Sequence, residues 1–197
     1  MHNFAKIRKA TIAAARDSAM RASEEYCVFL AGPFIQVDEP ATHKDNAASG
    51  ASKLRYFLYH ELTALGFSVY LGEDVELRTV GEKHYGSFGN AVVHERHYIT
   101  HHVDATIVLP SSPGSFCEVG DWAWVKPICE DMIIIIDKRY EGKNNYINDG
   151  IVKLASNNHA KIEYISYRKK SEVLESVKKF LEMIAQKMRM EKLYASR

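Results

Sequence analysis

Short apolar runs alternate with segments of helical periodicity along most of the chain. Residues 26–31, 105–109 and 132–137 form almost continuous apolar runs, which are typical of strands buried on both faces of a sheet. Two further strands are predicted at residues 67–71 and 160–165. Strands that alternate with helices in this way predict an α/β fold whose sheet is mostly parallel and covered by helices on both faces.

Helical segments lie between these strands and at both ends of the chain. Ser52 and Asn90 are placed as N-caps, and the polar stretch 72–89, which contains several glycines, is predicted as a loop. The predicted helices cover residues 1–24, 52–65, 90–102, 115–125, 146–155 and 170–192.

Length and composition indicate one ordinary folded domain over residues 1–197. The chain is 46% hydrophobic and 26% charged, close to the average for globular proteins, which excludes a disordered or collagen-like chain. With 26 Lys and Arg against 25 Asp and Glu, the net charge of +1 gives no overall attraction to nucleic acid. No apolar run approaches the ~20 residues of a membrane helix, and no secretory signal is recognised, so we expect a cytoplasmic protein that does not contact membranes.

The sequence does not favour a metal site. The three cysteines include no Cys-x-x-Cys pair. His94, His97 and His101 share one helical stripe, but no cysteine or second carboxylate stands at ligand spacing beside them. We therefore expect a solvated histidine face and no bound metal.

The best candidate for chemistry is Glu118, which follows a buried strand and a glycine-containing turn. Because ligands of parallel α/β sheets bind at the carboxyl edge of the strands, Glu118 is predicted to face the ligand. In the first turn of a helix it would stay ionised, as a nucleophile or an electrostatic partner, while the amides of Gly114 and Ser115 hold a phosphate or a sugar hydroxyl. The alternative is that Ser115-x-x-Glu118 is a capping box, in which Glu118 only binds a backbone amide.

Glu95 and Arg55 are secondary candidates. Glu95 lies on or beside the apolar face of its helix, where it is either a ligand-facing acid near Asp104 or the partner of Arg55 or Arg96 in a salt bridge. Arg55, near the start of its helix, either reaches a ligand phosphate or lies on the surface.

Two segments resemble the nucleoside 2-deoxyribosyltransferases. Residues 29–34, Phe-Leu-Ala-Gly-Pro-Phe, are similar to the strand end that opens those enzymes, and residues 104–120 are similar to their later Asp-strand-loop-Glu-x-Gly segment. Within the second segment, residues 112–120 look still more like the deoxyribosyltransferase-like effectors found beside bacterial retrons and in other antiphage systems. The resemblance implies a flavodoxin- or Rossmann-like fold and cleavage of an N-glycosidic bond.

By the same resemblance, Glu118 is the nucleophile on the anomeric carbon and Asp104 is a pocket residue behind the ligand. Gly32, Pro33 and Phe34 then form one wall of the site. The Asp-x-Gly-Thr that commonly precedes the glutamate is replaced here at residues 112–115, which favours a nucleotide or a dinucleotide such as NAD over a free deoxynucleoside.

The sequence thus predicts an N-glycosidase or a deoxyribosyltransferase-like enzyme that needs no cofactor and serves as an antiphage effector. The enzyme is expected to be a homo-oligomer, with a protein or nucleic-acid partner if it is an effector. The alternative is a nucleotide-binding sensor of the same fold without turnover. A phosphoribohydrolase of the cytokinin-activating type is less favoured, because its Gly-Gly-x-Gly-Thr loop is missing.

Overall fold

A computed structural model describes residues 26–195 of the chain, so the helix predicted within residues 1–24 lies outside the described part. The described residues contain one five-stranded sheet in which every neighbouring pair is parallel, in the order β2-β1-β3-β4-β5. The strands are β1 (Cys27–Ala31), β2 (Ser68–Tyr70), β3 (Ala105–Val108), β4 (Met132–Ile136) and β5 (Lys161–Tyr164).

Eight α-helices connect and cover the strands within residues 26–195. Two 3₁₀ turns, Gly86–Phe88 and Lys138–Tyr140, and one π-helical segment, Ile147–Val152, complete the connections. The helices are α1 (Lys44–Ala47), α2 (Gly50–Ala64), α3 (Val75–Tyr85), α4 (Ala91–His102), α5 (Pro113–Trp122), α6 (Lys126–Glu130), α7 (Lys153–Asn157) and α8 (Lys170–Ala195).

Two apolar clusters cover the two faces of the sheet. Successive strand residues point to opposite faces, so Leu30 and Ile107 join one cluster while Phe29 and Val108 join the other. The first cluster packs under α2 and α8, and the second under helices α3 to α7. The predicted α/β fold, with a parallel sheet and helices on both faces, is therefore confirmed.

The order of the strands determines where a ligand can bind. The chain leaves β1 toward α2 on one face of the sheet, and it leaves β3, the neighbour of β1, toward α5 on the other face. Two adjacent connections that diverge in this way open a crevice at the carboxyl ends of their strands. The loops after β1 and β3 form the edges of this crevice.

The structure corrects one predicted loop and the predicted start of one helix. Residues 72–89, predicted as a loop, contain α3, and Gly81 in the middle of α3 lies directly against the ring of His94 on α4. Helix α2 begins before the predicted cap, because the Ser49 side chain accepts the amide of Ser52 at 2.9 Å. No helix within residues 26–195 has the length and apolar character needed to cross a membrane.

Candidate active site

A cavity of about 290 Å³ lies at the carboxyl edge of the sheet, in the crevice between the loops after β1 and β3. This volume lies just below the ~300–1,000 Å³ range of small-molecule pockets. The lining residues are Phe29, Ala31, Gly32, Phe34, Arg55, Gly72, Glu73, Arg78, Glu95, Ser112, Gly114, Ser115 and Glu118.

Arg55 joins three chain segments at the inner wall of the cavity. This residue is 1% exposed. Its Nε and Nη2 donate to the Leu30 carbonyl at 3.1 and 2.7 Å, and its Nη1 donates to the Pro33 carbonyl at 2.9 Å. Nη1 and Nη2 also donate to the Glu73 carboxylate at 2.8 and 3.0 Å. Gly32 leaves room for this network, since a Cβ on it would lie 3.2 Å from Arg55 Cδ.

The five N–H groups of Arg55 are all used by these bonds, because a guanidinium has five donors in total. Arg55 therefore has no donor left for a ligand phosphate, and its burial excludes a surface role. Both interpretations of Arg55 from the sequence are corrected in this way. Arg55 is a positioning residue that neutralises Glu73 and holds the end of β1 in place.

Glu95 extends from α4 into the cavity above Gly72. A Cβ on Gly72 would lie 2.6 Å from Glu95 Oε1, so the absence of a side chain at position 72 makes room for the carboxyl group. The salt bridge of Glu95 to Arg55 or Arg96, which the sequence left open, is not formed. Arg96 instead pairs with Asp121.

Glu118 enters the cavity from α5, and it does not cap this helix. Ser112 is the N-cap and forms a reciprocal capping box with Ser115, while Pro113 occupies the first turn. The helix thus begins earlier than predicted, and Glu118 lies in its second turn. The capping-box interpretation of Glu118 is wrong, since Ser112 and Ser115 supply that box. The amide of Ser115 donates to Ser112 Oγ, so of the two amides predicted to hold a ligand only that of Gly114, an exposed residue, lies outside this capping box.

The electrostatics of the cavity favour protonated carboxyl groups. Burial, the nearby charge of Glu118 and that of Glu73 together raise the pKa of Glu95 to about 7. Burial also raises the pKa of Glu118, although the charge of Arg55 opposes this effect. The sequence placed Glu118 in the first turn of its helix, where the N-terminus would lower the carboxyl pKa, but Glu118 lies in the second turn and burial shifts its pKa upward. Near neutral pH, the pair is suited to hold one proton, and Glu95 is its preferred carrier.

Most of the predicted site residues lie together. No hydrogen bond or ion pair to the carboxylate of Glu118 or of Glu95 is found among residues 26–195, so both groups are available to a ligand. The predicted residues that line the cavity are Glu118, Glu95, Gly32, Phe34, Arg55, Gly114 and Ser115.

Asp104 and Pro33 are placed differently from the prediction. Asp104 precedes β3 and accepts the amide of Cys27 at 2.8 Å, at the start of β1. It therefore lies at the amino edge of the parallel sheet, opposite the cavity, and the prediction that it stands behind the ligand is corrected. Pro33 contributes its backbone carbonyl to Arg55 rather than a surface to the cavity.

Six lining residues were not among the predicted site residues: Phe29, Ala31, Gly72, Glu73, Arg78 and Ser112. Gly72 and Glu73 follow β2, and the sequence places the segment that begins there at the ligand edge without assigning Glu73 a role. Arg78 lies on α3, in the segment predicted as a loop. The sequence gives no signal for its role.

The expected solvated histidine face on α4 is formed only in part, because the ring of His94 is buried against Gly81 of α3. His97 stacks near His84 and His101, with ring centroids 4.7 and 4.6 Å apart, and His97 Nδ1 hydrogen bonds with the Tyr85 hydroxyl at 2.9 Å. Within residues 26–195, no group of three or more His, Cys, Asp or Glu side chains is arranged to hold a metal ion.

The fold and the cavity together define a parallel α/β protein with an acidic cavity at its topological switch point. Comparison with known families assigns the chain more closely. It belongs to the STM3845 retron effector protein family, which it matches over residues 51–196. No curated protein gives a match.

Proposed function

We propose that the protein is an antiphage effector that cleaves the N-glycosidic bond of a nucleoside, a nucleotide or an NAD-like molecule. Membership of a retron effector family supports the defensive role. The observation that carries the enzymatic part is the presence of two unpaired carboxyl groups, Glu118 and Glu95, in one cavity. Such a pair can divide the roles of nucleophile and proton donor between its two members.

Cleavage of an N-glycosidic bond requires a nucleophile at the anomeric carbon and a proton donor for the leaving base, and the two glutamates can supply them. An ionised Glu118 oxygen attacks the anomeric carbon and forms a new C–O bond as the C–N bond to the base breaks. The electron pair of the broken bond goes to the base nitrogen, which takes the proton held by Glu95. Water then attacks the glycosyl-enzyme and releases the sugar, with its proton returned to Glu95. In a transfer reaction, a second base replaces the water.

Phe34 provides a surface for the base. It is 54% exposed at the mouth of the cavity although it is a large apolar residue. Aromatic side chains stack on nucleobases with a contribution of about 1–3 kcal/mol per base. A base stacked on this ring would cover its exposed apolar surface.

The test is the release of free base by purified protein, measured by chromatography. Wild type is incubated with NAD and a panel of nucleosides and nucleotides, beside the variants Glu118→Gln, Glu95→Gln and, as a control, Glu130→Gln, which changes an exposed glutamate on α6. Base release should fall by roughly 10³-fold or more in Glu118→Gln and stay at the wild-type level in Glu130→Gln. If wild type releases no base while a ligand raises its melting temperature, the enzymatic proposal is wrong and the sensor is favoured.

The Glu95→Gln variant tests whether Glu95 is the proton donor and Glu118 the nucleophile. With substrates whose base leaves as a neutral molecule after protonation, loss of the proton donor should lower kcat by about 10²–10⁴-fold. With NAD, whose nicotinamide is already cationic, the same variant should lose far less activity. Equal losses on both kinds of substrate would contradict the assignment of Glu95 as proton donor.

The defensive role requires a separate test. Cells that carry the protein in its natural gene neighbourhood are infected with phage, and plaque numbers are compared for wild type, Glu118→Gln and Glu130→Gln. Protection that depends on Glu118 is expected. Protection retained in Glu118→Gln would separate defence from base cleavage.

A further inference from the structure

The cavity contains one cation whose donors are not used by the protein. Two arginines line it, and the five N–H groups of Arg55 are all bonded to Leu30, Pro33 and Glu73. Arg78, in the first turns of α3, is exposed to solvent. No hydrogen bond or ion pair to its guanidinium is found in the described part of the chain.

The charges around Arg78 indicate what it binds. Three carboxyl groups line the cavity, and only Glu73 is neutralised by an ion pair, with Arg55. A phosphorylated substrate that enters beside Glu95 and Glu118 would be repelled by them unless a cation offsets its charge. An arginine with a free planar fork is suited to this task, because it donates two parallel hydrogen bonds to phosphate oxygens.

We propose that Arg78 binds a phosphate group of the substrate and thereby selects nucleotides over nucleosides. This inference rests on the proposed function, since it names the class of substrate for the same cavity. The phosphate is recognised by its charge and its fork of oxygens. The base meets Phe34, and the anomeric carbon meets Glu118.

A second role for Arg78 is distinguishable by experiment. Its charge also acts on Glu95, where it lowers the pKa against the effect of burial. If that were its only role, replacing Arg78 would change the pH dependence of base release equally for phosphorylated and unphosphorylated substrates. A phosphate-binding role changes the ratio between the two.

The decisive measurement is the ratio of kcat/KM for each nucleoside 5′-monophosphate to kcat/KM for its nucleoside. It is taken for wild type, Arg78→Gln and Lys83→Gln. Lys83 is an exposed cation of the same helix that does not line the cavity, so its variant controls for the loss of one positive charge. We expect the ratio to fall by roughly 10- to 100-fold in Arg78→Gln, which is the usual loss for a charge-assisted hydrogen bond, and to stay at its wild-type value in Lys83→Gln.

Other outcomes overturn the inference. A wild-type enzyme that cleaves nucleosides and nucleotides equally well has no phosphate selection, although the proposed function would stand. Ratios that fall equally in Arg78→Gln and Lys83→Gln would show that only the general charge of α3 matters, and a wild-type ratio in Arg78→Gln would show that this residue selects no phosphate.

If wild type releases base from no substrate, the proposed function fails and binding decides the inference. Calorimetry then compares nucleoside monophosphates with nucleosides on Glu118→Gln and on Glu118→Gln/Arg78→Gln. Nucleotide binding that is weakened only by the second change supports the phosphate site without catalysis. Absence of binding, or binding that does not depend on Arg78, overturns it.

Discussion

Replacing Glu95 by Gln is expected to stabilise the protein at alkaline pH and to leave its stability unchanged in acid. Burial, with the charges of Glu118 and Glu73, raises the pKa of Glu95 from 4.5 to about 7 in the folded chain. The folded chain therefore holds this proton more tightly than the unfolded chain. The resulting contribution to stability is complete below the unfolded pKa and is lost as the pH rises through the folded pKa.

The magnitude follows from the two pKa values. Between pH 4.5 and about 7, the unfolded chain has released the proton of Glu95 while the folded chain retains it. Each pH unit in this window lowers the free energy of unfolding by about 1.4 kcal/mol. Ionised Glu95 therefore destabilises the folded protein by about 3 kcal/mol at pH 8. Gln has nearly the same shape and no charge, so its variant avoids this loss.

Urea unfolding at pH 4 and pH 8, followed by circular dichroism, measures the effect. With a denaturant dependence of about 2 kcal/mol per molar urea, the Glu95→Gln midpoint should exceed that of wild type by roughly 1–2 M at pH 8 and should match it at pH 4. Glu82→Gln, which changes an exposed glutamate on α3, serves as the control and should follow wild type at both pH values. A Glu95→Gln variant no more stable than wild type at pH 8 would refute the burial of this charge.

Three further substitutions test other parts of the site. Arg55→Ala should lower the free energy of unfolding by about 3–5 kcal/mol, because it leaves a carboxylate and two carbonyls unpaired. The control Arg96→Ala, which removes an exposed ion pair, should lower it by less than about 1 kcal/mol. Equal shifts of the two variants in urea unfolding would contradict the buried network. Gly72→Ala places a Cβ 2.6 Å from Glu95 Oε1. It should reduce base release by roughly 10²-fold with little change in circular dichroism. A Gly72→Ala variant with wild-type kcat/KM would show that the reaction does not depend on the position of that carboxyl group. Asp104→Ala should lower the free energy of unfolding by about 1–3 kcal/mol and retain wild-type kcat/KM. A variant that folds but releases no base would show that Asp104 takes part in the reaction.

The fold was largely predictable because its strands carry a strong signal. Buried parallel strands are apolar on both faces, and all five were found in the sequence to within one or two residues. Helix α3 was missed because Gly81 interrupts its pattern, and glycine is a weak helix former. Its absence of a side chain is required by the ring of His94, which comes from another helix and gives no local signal.

The site was predictable where it depends on the position of a residue after a strand. Glu118 was placed at the ligand edge in this way. Phe34 and Asp104 were assigned to the site by the resemblance; Phe34 lines the cavity, whereas Asp104 precedes its strand and lies at the opposite edge. The role of Arg55 was not predictable, since its partner Glu73 lies 18 residues away in a different loop. A long-range ion pair of this kind leaves no periodic pattern in the sequence.

The construction of the cavity wall determines where substrate preference can be redesigned. The inner wall is held by backbone and by buried bonds: Gly72 leaves space for Glu95, and Gly32 leaves space for Arg55. Side chains introduced at these inner positions would displace the Glu95 carboxyl group or press on Arg55, so they would disturb the site itself. The rim consists of exposed side chains, among them Phe34 and Arg78, whose replacement disturbs little packing. Directed evolution toward a new base or a new phosphate pattern should therefore begin at the rim.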